Sequence, residues 1–214
     1  MKKLLWISLS CLGAFVLWTV LVGVVDVQAI GPNGSAVGFA TVNGFFHRLT
    51  GVHMALYVIT DWLGLVPIGV TVVFAILGLV QWIKRKDIRK VDFDIILLGG
   101  FYVITFFLYM LFEMVVINWR PILIEGFLEA SYPSSTTLLV LCVMPTALLQ
   151  AHTRIKNRGL RLATEFTTIC FIGFIVFGRL ICGVHWLSDI VGGILLSAGL
   201  VLFYSFLYKK TPKP

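Results

Sequence analysis

The sequence predicts an all-α fold, a bundle of six transmembrane helices, and three observations predict it. Of the 214 residues 59% are hydrophobic, and the mean hydropathy is +0.98. That is more apolar surface than a soluble chain of this size can hide. The apolar residues gather into six runs of roughly 20 residues or more, each enough to cross a hydrocarbon core about 30 Å thick. The charge is placed to match. A net charge of +7 suits nucleic acid or an anionic surface, yet all basic residues except Arg48, Arg120 and Arg179 flank apolar runs. That placement points to a membrane, and no nucleic-acid partner is expected. Residues 1–214 read as a single polytopic membrane domain.

The first span is Leu4 to Val25. It imitates a signal peptide, with Lys2 and Lys3 ahead of it and Val27-Gln28-Ala29 as a cleavage-like site. The run exceeds the usual apolar stretch of about 7–15 residues, so it reads as a span; cleavage is the alternative and would leave five. A Gly-, Asn- and Ser-rich loop follows, then Phe39–Thr50, which reads as a short interfacial helix presenting Phe45 and Phe46. The second span, Met54–Ile83, is long enough to tilt or project and carries Asp61 and Pro67 in its first half. The third is Phe93–Trp119. The fourth is Ser134–Ala151, with a kink expected at Pro145. Leu162–Cys182 and Leu187–Tyr208 are the fifth and sixth. Cys11, Cys142, Cys170 and Cys182 lie in or beside spans without paired spacing, as small buried hydrophobes do.

The positive-inside rule sets an orientation. With six spans, the N-terminus, the 84–92 loop, the 152–161 loop and the C-terminus share one side, and that side carries the clustered Lys and Arg. It is expected to be cytoplasmic, in a bacterial-type plasma membrane. Arg120, Arg179, His185 and Asp189 then gather at the extracytoplasmic face.

Those residues carry the chemistry. Charged and ionisable groups are costly at a membrane boundary, so a function is their default explanation. The stretch GRLICGVHWLSD spaces Arg179, His185 and Asp189 as Arg-x5-His-x3-Asp. Two guanidiniums, from Arg120 and Arg179, offer planar forks for phosphate oxygens. Ser134, Ser135 and Thr136 follow Pro133 where a helix would begin, so hydroxyls and free backbone N–H groups can meet an anion. Asp189 lies four residues after His185. It is expected to accept from one ring nitrogen and leave the other free as a nucleophile. No Asp, Glu and His set has good metal spacing, so neither a metal nor another cofactor is expected. Asp61, His47, Arg48 and His53 read as loop or headgroup contacts rather than catalytic groups.

At these positions the chain resembles the type 2 phosphatidic acid phosphatase (PAP2) family of integral membrane lipid phosphatases, relatives of vanadium haloperoxidases. The family pattern is Lys-x6-Arg-Pro, then Pro-Ser-Gly-His, then Ser-Arg-x5-His-x3-Asp. Arg120-Pro121, Pro133-Ser134 and Arg179-x5-His185-x3-Asp189 match it in order, over roughly residues 50–208. The resemblance implies a six-helix core, His185 as nucleophile, Asp189 as its partner, and Arg120, Ser134 and Arg179 on phosphate. The departures are Glu113 for the lysine, Ser135 and Thr136 for the Gly-His pair, and Gly178 for the serine. In the family that histidine protonates the leaving group. An alkoxide needs that proton, whereas a phosphate monoester leaving a diphosphate is already a stable anion. The expected substrate is therefore a lipid phosphate or, preferentially, an isoprenyl or undecaprenyl diphosphate. The rival reading is a catalytically silent protein that binds or moves a phosphorylated lipid.

Overall fold

A computed structural model describes residues 2–211 and is helical throughout, with isolated bridges but no strand among those residues. The helices are α1 (Lys2–Val24), α2 (Ala40–Thr50), α3 (Met54–Leu63), α4 (Leu65–Arg85), α5 (Phe93–Met114), α6 (Ser135–Arg154), α7 (Arg158–Ile181) and α8 (Leu187–Tyr208). Six segments are long and apolar enough to cross a membrane: α1, α3 with α4, α5, α6, α7 and α8. The protein is a multi-pass membrane protein.

Helices α6 and α8 form the centre. About half of the most apolar stretch of each is buried, whereas α4 and α7 turn most of theirs outward, as lipid-facing helices do when all their backbone bonds are internal. Helix α8 packs most extensively on α1 and next on α6. The Ser8 hydroxyl donates to the Gly199 carbonyl at 2.8 Å across the first of these seams. Phe15 and Val22 of α1, Leu98 and Tyr102 of α5, Leu138 and Cys142 of α6, and Leu196 and Tyr204 of α8 share one buried cluster.

Helix ends follow local chemistry more than hydropathy. The expected second span is interrupted at Gly64, one turn before Pro67; proline has no N–H to bond the Leu63 carbonyl and its ring crowds that group. The third span stops at Met114, not Trp119. The β-branched run Val115-Val116-Ile117 follows, and the chain becomes extended so that Trp119 pairs with Ala130. Ser134 is the cap of α6 rather than its first residue, and α6 runs through Pro145 to Arg154. Helix α7 begins at Arg158, earlier than expected, because the Asn157 side chain accepts from the Leu160 N–H at 3.0 Å. Segments 26–53, 115–134 and 182–186 all lie at one end of the bundle, called here the site end. The 86–92 and 155–157 turns lie at the opposite, basic end.

Candidate active site

Helix α7 delivers Arg179 to the site end, and a glycine makes that possible. A Cβ on Gly178 would lie 2.6 Å from Thr60 Cγ2, so only glycine lets α3 approach this closely. The approach brings Asp61 to Arg179, Oδ1 to Nη1 at 3.3 Å. The turn after α7 is pinned from above. Gly183 has φ 72°, and a Cβ there would meet the Gly51 carbonyl at 2.0 Å. The Cys182 carbonyl accepts from the His53 N–H at 2.9 Å, and the His47 ring lies 3.1 Å from the Gly183 carbonyl.

His185 sits in this turn, two residues before α8 begins, so it does not share a helical face with Asp189. The expected direct bond between them is absent: His185 Nδ1 is 3.9 Å from Asp189 Oδ2. Ser131 stands between. Its Oγ is 3.0 Å from Nδ1 and donates to Asp189 Oδ2 at 2.5 Å. The arrangement is satisfied when Nδ1 carries the ring proton and donates to Ser131. Nε2 then holds a lone pair, which accepts from Arg179 Nη2 at 2.8 Å. Burial, reinforced by the Arg179 and Arg120 guanidiniums, holds the imidazole well below its ordinary pKa and keeps it neutral.

Asp189 is fully buried and saturated with donors. Besides Ser131 it accepts from the Trp186 N–H at 2.8 Å, and Asn118 and Ser188 lie 3.4 Å from its other oxygen. Asn43 of α2 closes the shell, donating to Ser188 Oγ at 2.9 Å and accepting from its N–H at 3.1 Å. The segment read as a surface helix is therefore part of the polar framework under His185.

Arg120 lies in the extended segment after α5, its N–H bonded to the Glu129 carbonyl and its Nε 3.2 Å from the Glu129 carboxylate. The guanidiniums of Arg120 and Arg179 both stand over the Tyr57 ring, 5.9 and 5.1 Å from its centroid. Three buried polar atoms here have no partner: Arg120 Nη1, Arg179 Nε and Ser134 Oγ. The Ser134 N–H is occupied by the Asp189 carbonyl at 3.2 Å. Thr136 packs under the α3–α4 junction, its methyl 3.1 Å from where a Gly64 Cβ would be. Glu113 is within electrostatic reach of Arg120 and beside the Ser135 hydroxyl. Among the described residues no group of three His, Cys, Asp or Glu side chains could hold a metal ion.

Sequence reasoning placed Arg120, Ser134, Arg179, His185 and Asp189 at one end, and they are there. It missed Ser131, Asn43, Asn118 and Tyr57, and it set Asp61 aside. Asp61 had a usable signal as a carboxylate inside an apolar span, which needs a cationic partner. Ser131 had none.

The PAP2 superfamily model matches residues 68–212. The chain belongs to the PAP2 superfamily. The match begins within α4, downstream of Asn43, Tyr57 and Asp61. The chain is also similar to the solved structure of the first transmembrane PAP2 type phosphatidylglycerolphosphate phosphatase from Bacillus subtilis. The identity is 18%, with 96% of this chain and 98% of that chain covered and a TM-score of 0.60. At that identity the likeness speaks for the PAP2 membrane phosphatase fold. No curated protein sequence matches the chain.

Proposed function

We propose that this PAP2 protein is a metal-independent lipid phosphatase that works through a phosphohistidine on His185, with the site end extracytoplasmic. The observation that carries the reading is the placement of the His185 ring, with Nδ1 tied through Ser131 to Asp189 and Nε2 facing Arg179. Around it lie donors that lack partners in the free protein, on Arg120 and Arg179, and the Ser134 hydroxyl. Buried polar atoms left unpaired are costly, and a phosphate's oxygens would satisfy them.

In this reading Arg179 turns from Nε2 to phosphate oxygens as substrate binds, freeing the lone pair. Nε2 attacks phosphorus and the bond to the leaving oxygen breaks. The cationic phosphoimidazole is stabilised through Ser131 by Asp189. Water then attacks phosphorus, the N–P bond breaks, inorganic phosphate departs and the water's proton passes to solvent. Thr136 cannot protonate a leaving alkoxide, so the preferred substrate is a lipid diphosphate such as an isoprenyl or undecaprenyl diphosphate.

Phosphate release from undecaprenyl diphosphate and from phosphatidic acid, each with His185→Ala as control, tests both parts. Faster release from phosphatidic acid overturns the diphosphate preference. No His185-dependent turnover of either lipid, with binding retained, overturns catalysis in favour of a phospholipid-binding protein.

A further inference from the structure

Away from the site, α4 and α5 part to leave an apolar groove with a cavity of about 620 Å³, within the roughly 300–1,000 Å³ of small-ligand sites. Phe74, Gly78 and Trp82 line one wall and Ile95, Gly99 and Tyr102 the other. Its lining from Thr71 to Trp82 spans about 16 Å at the helical rise, close to one leaflet's share of a hydrocarbon core about 30 Å thick. The two hydroxyls in the lining are already used: Thr71 Oγ1 donates to the Pro67 carbonyl at 3.0 Å and Tyr102 OH to the Val143 carbonyl at 3.4 Å. The interior therefore offers an occupant chiefly dispersion contacts, with the Trp82 indole N–H toward the basic end the one side-chain donor without a partner among the described residues.

The mouth is different. The short turn Ile88–Lys90 closes the groove at the basic end, and Ile88 and Val91 face into it. Around that turn Lys84, Lys86, Arg89 and Lys90 are exposed, and none makes an ion pair among the described residues. Arg85 is already committed to Asp92 at 2.7 Å, and the Asp87 carboxylate to the Arg89 N–H. A one-leaflet hydrocarbon slot under uncommitted cations has the chemistry of one kind of ligand.

We propose that the α4–α5 groove is a binding site for one anionic phospholipid of the leaflet at the basic end, an acyl chain in the slot and the headgroup phosphate on Lys84, Lys86, Arg89 and Lys90. The site is separate from the His185 centre and independent of catalysis. Bound there, the lipid fills the seam between two helices that otherwise meet sparsely.

The test is native mass spectrometry of the delipidated full chain, titrated with phosphatidylglycerol or phosphatidylcholine of matched chains. One phosphatidylglycerol is retained per protein, at least tenfold more tightly than phosphatidylcholine. Gly99→Leu abolishes that retention with helix content unchanged, because an added Cβ there meets nothing within 4 Å and the side chain fills the slot. The triple change Lys84→Gln, Arg89→Gln and Lys90→Gln, which touches no packed side chain, cuts the preference for phosphatidylglycerol about fivefold or more. Equal retention of the two lipids by the unaltered protein overturns the proposal. So does full retention by either variant, or a lipid-free dimer in which a second copy covers the groove.

Discussion

Each end of the bundle contains an arginine–aspartate pair with one partner buried, and these two pairs are built the opposite way round. At the basic end the carboxylate is the buried partner: the Asp94 side chain is 2% exposed and Arg154, 2.9 Å away, is 25% exposed. Gln150 donates to the Asp94 carbonyl and to Tyr204, so the pair belongs to a tie joining α5, α6 and α8. At the site end the guanidinium is buried and the carboxylate is not, with Arg179 1% and Asp61 54% exposed. Arg179 is further held by the His185 imidazole and the Tyr57 ring and, among the described residues, keeps one N–H without a partner. Among the described residues the Asp94 carboxylate is bonded by Arg154 alone, with Oδ1 unpartnered, yet it sits inside that inter-helix tie and is a structural fixture. A buried cation whose counter-ion reaches in from solvent is, under the proposed function, the one arranged for exchange with a substrate phosphate.

The largest effect expected from this contrast is at the nucleophile. His185→Ala lowers phosphate release by a thousandfold or more while the protein still folds, and acid-quenched, 32P-labelled protein no longer traps label. Arg179→Lys follows, with a loss of about a hundredfold in kcat/KM, since a point charge replaces a planar fork. Arg154→Lys at the other end shifts melting temperature instead; equal kinetic losses from the two would erase the distinction between the ends.

Ser131→Ala is expected to cost ten- to a hundredfold in kcat, because the 3.9 Å gap between His185 Nδ1 and Asp189 then has nothing to bridge it. A merely structural Ser131 would leave the pH–rate profile in place, whereas a bridging one moves it. The profile of the unaltered enzyme carries its own prediction. Because burial and two guanidiniums depress the His185 pKa, the neutral imidazole persists as pH falls through about 6.5. After correction for substrate ionisation, the acid limb assigned to His185 therefore lies below that value. The smallest effect is at Asp61. Removing its charge by Asp61→Asn frees Arg179, and inorganic phosphate should inhibit the variant a few-fold more strongly in a competition assay.

The comparison also shows what could be read before folding. Apolar runs and flanking Lys and Arg gave six spans and their common basic end, because lipid solubility is summed over about 20 residues and needs no partner. The breaks at Gly64 and after Met114 were legible too, had Pro67 and the β-branched run after Met114 been weighed above hydropathy. Arg120, Arg179, His185 and Asp189 were found because each is costly where it stands. Ser131 was not, since a serine in a loop is unremarkable until a histidine and an aspartate arrive on either side.

By itself, then, the sequence determined a six-span α-helical membrane protein with Arg120, Arg179, His185 and Asp189 gathered at one end. Only the tertiary structure decided that Asp189 reaches His185 through Ser131, that Asp61 pairs with Arg179, and that α4 and α5 leave a groove under a basic rim. The physical reason is range. Hydropathy and residue cost are local quantities, while these contacts join residues far apart in the chain, through tertiary approaches such as those of Gly178 to α3 and of Gly183 to Gly51.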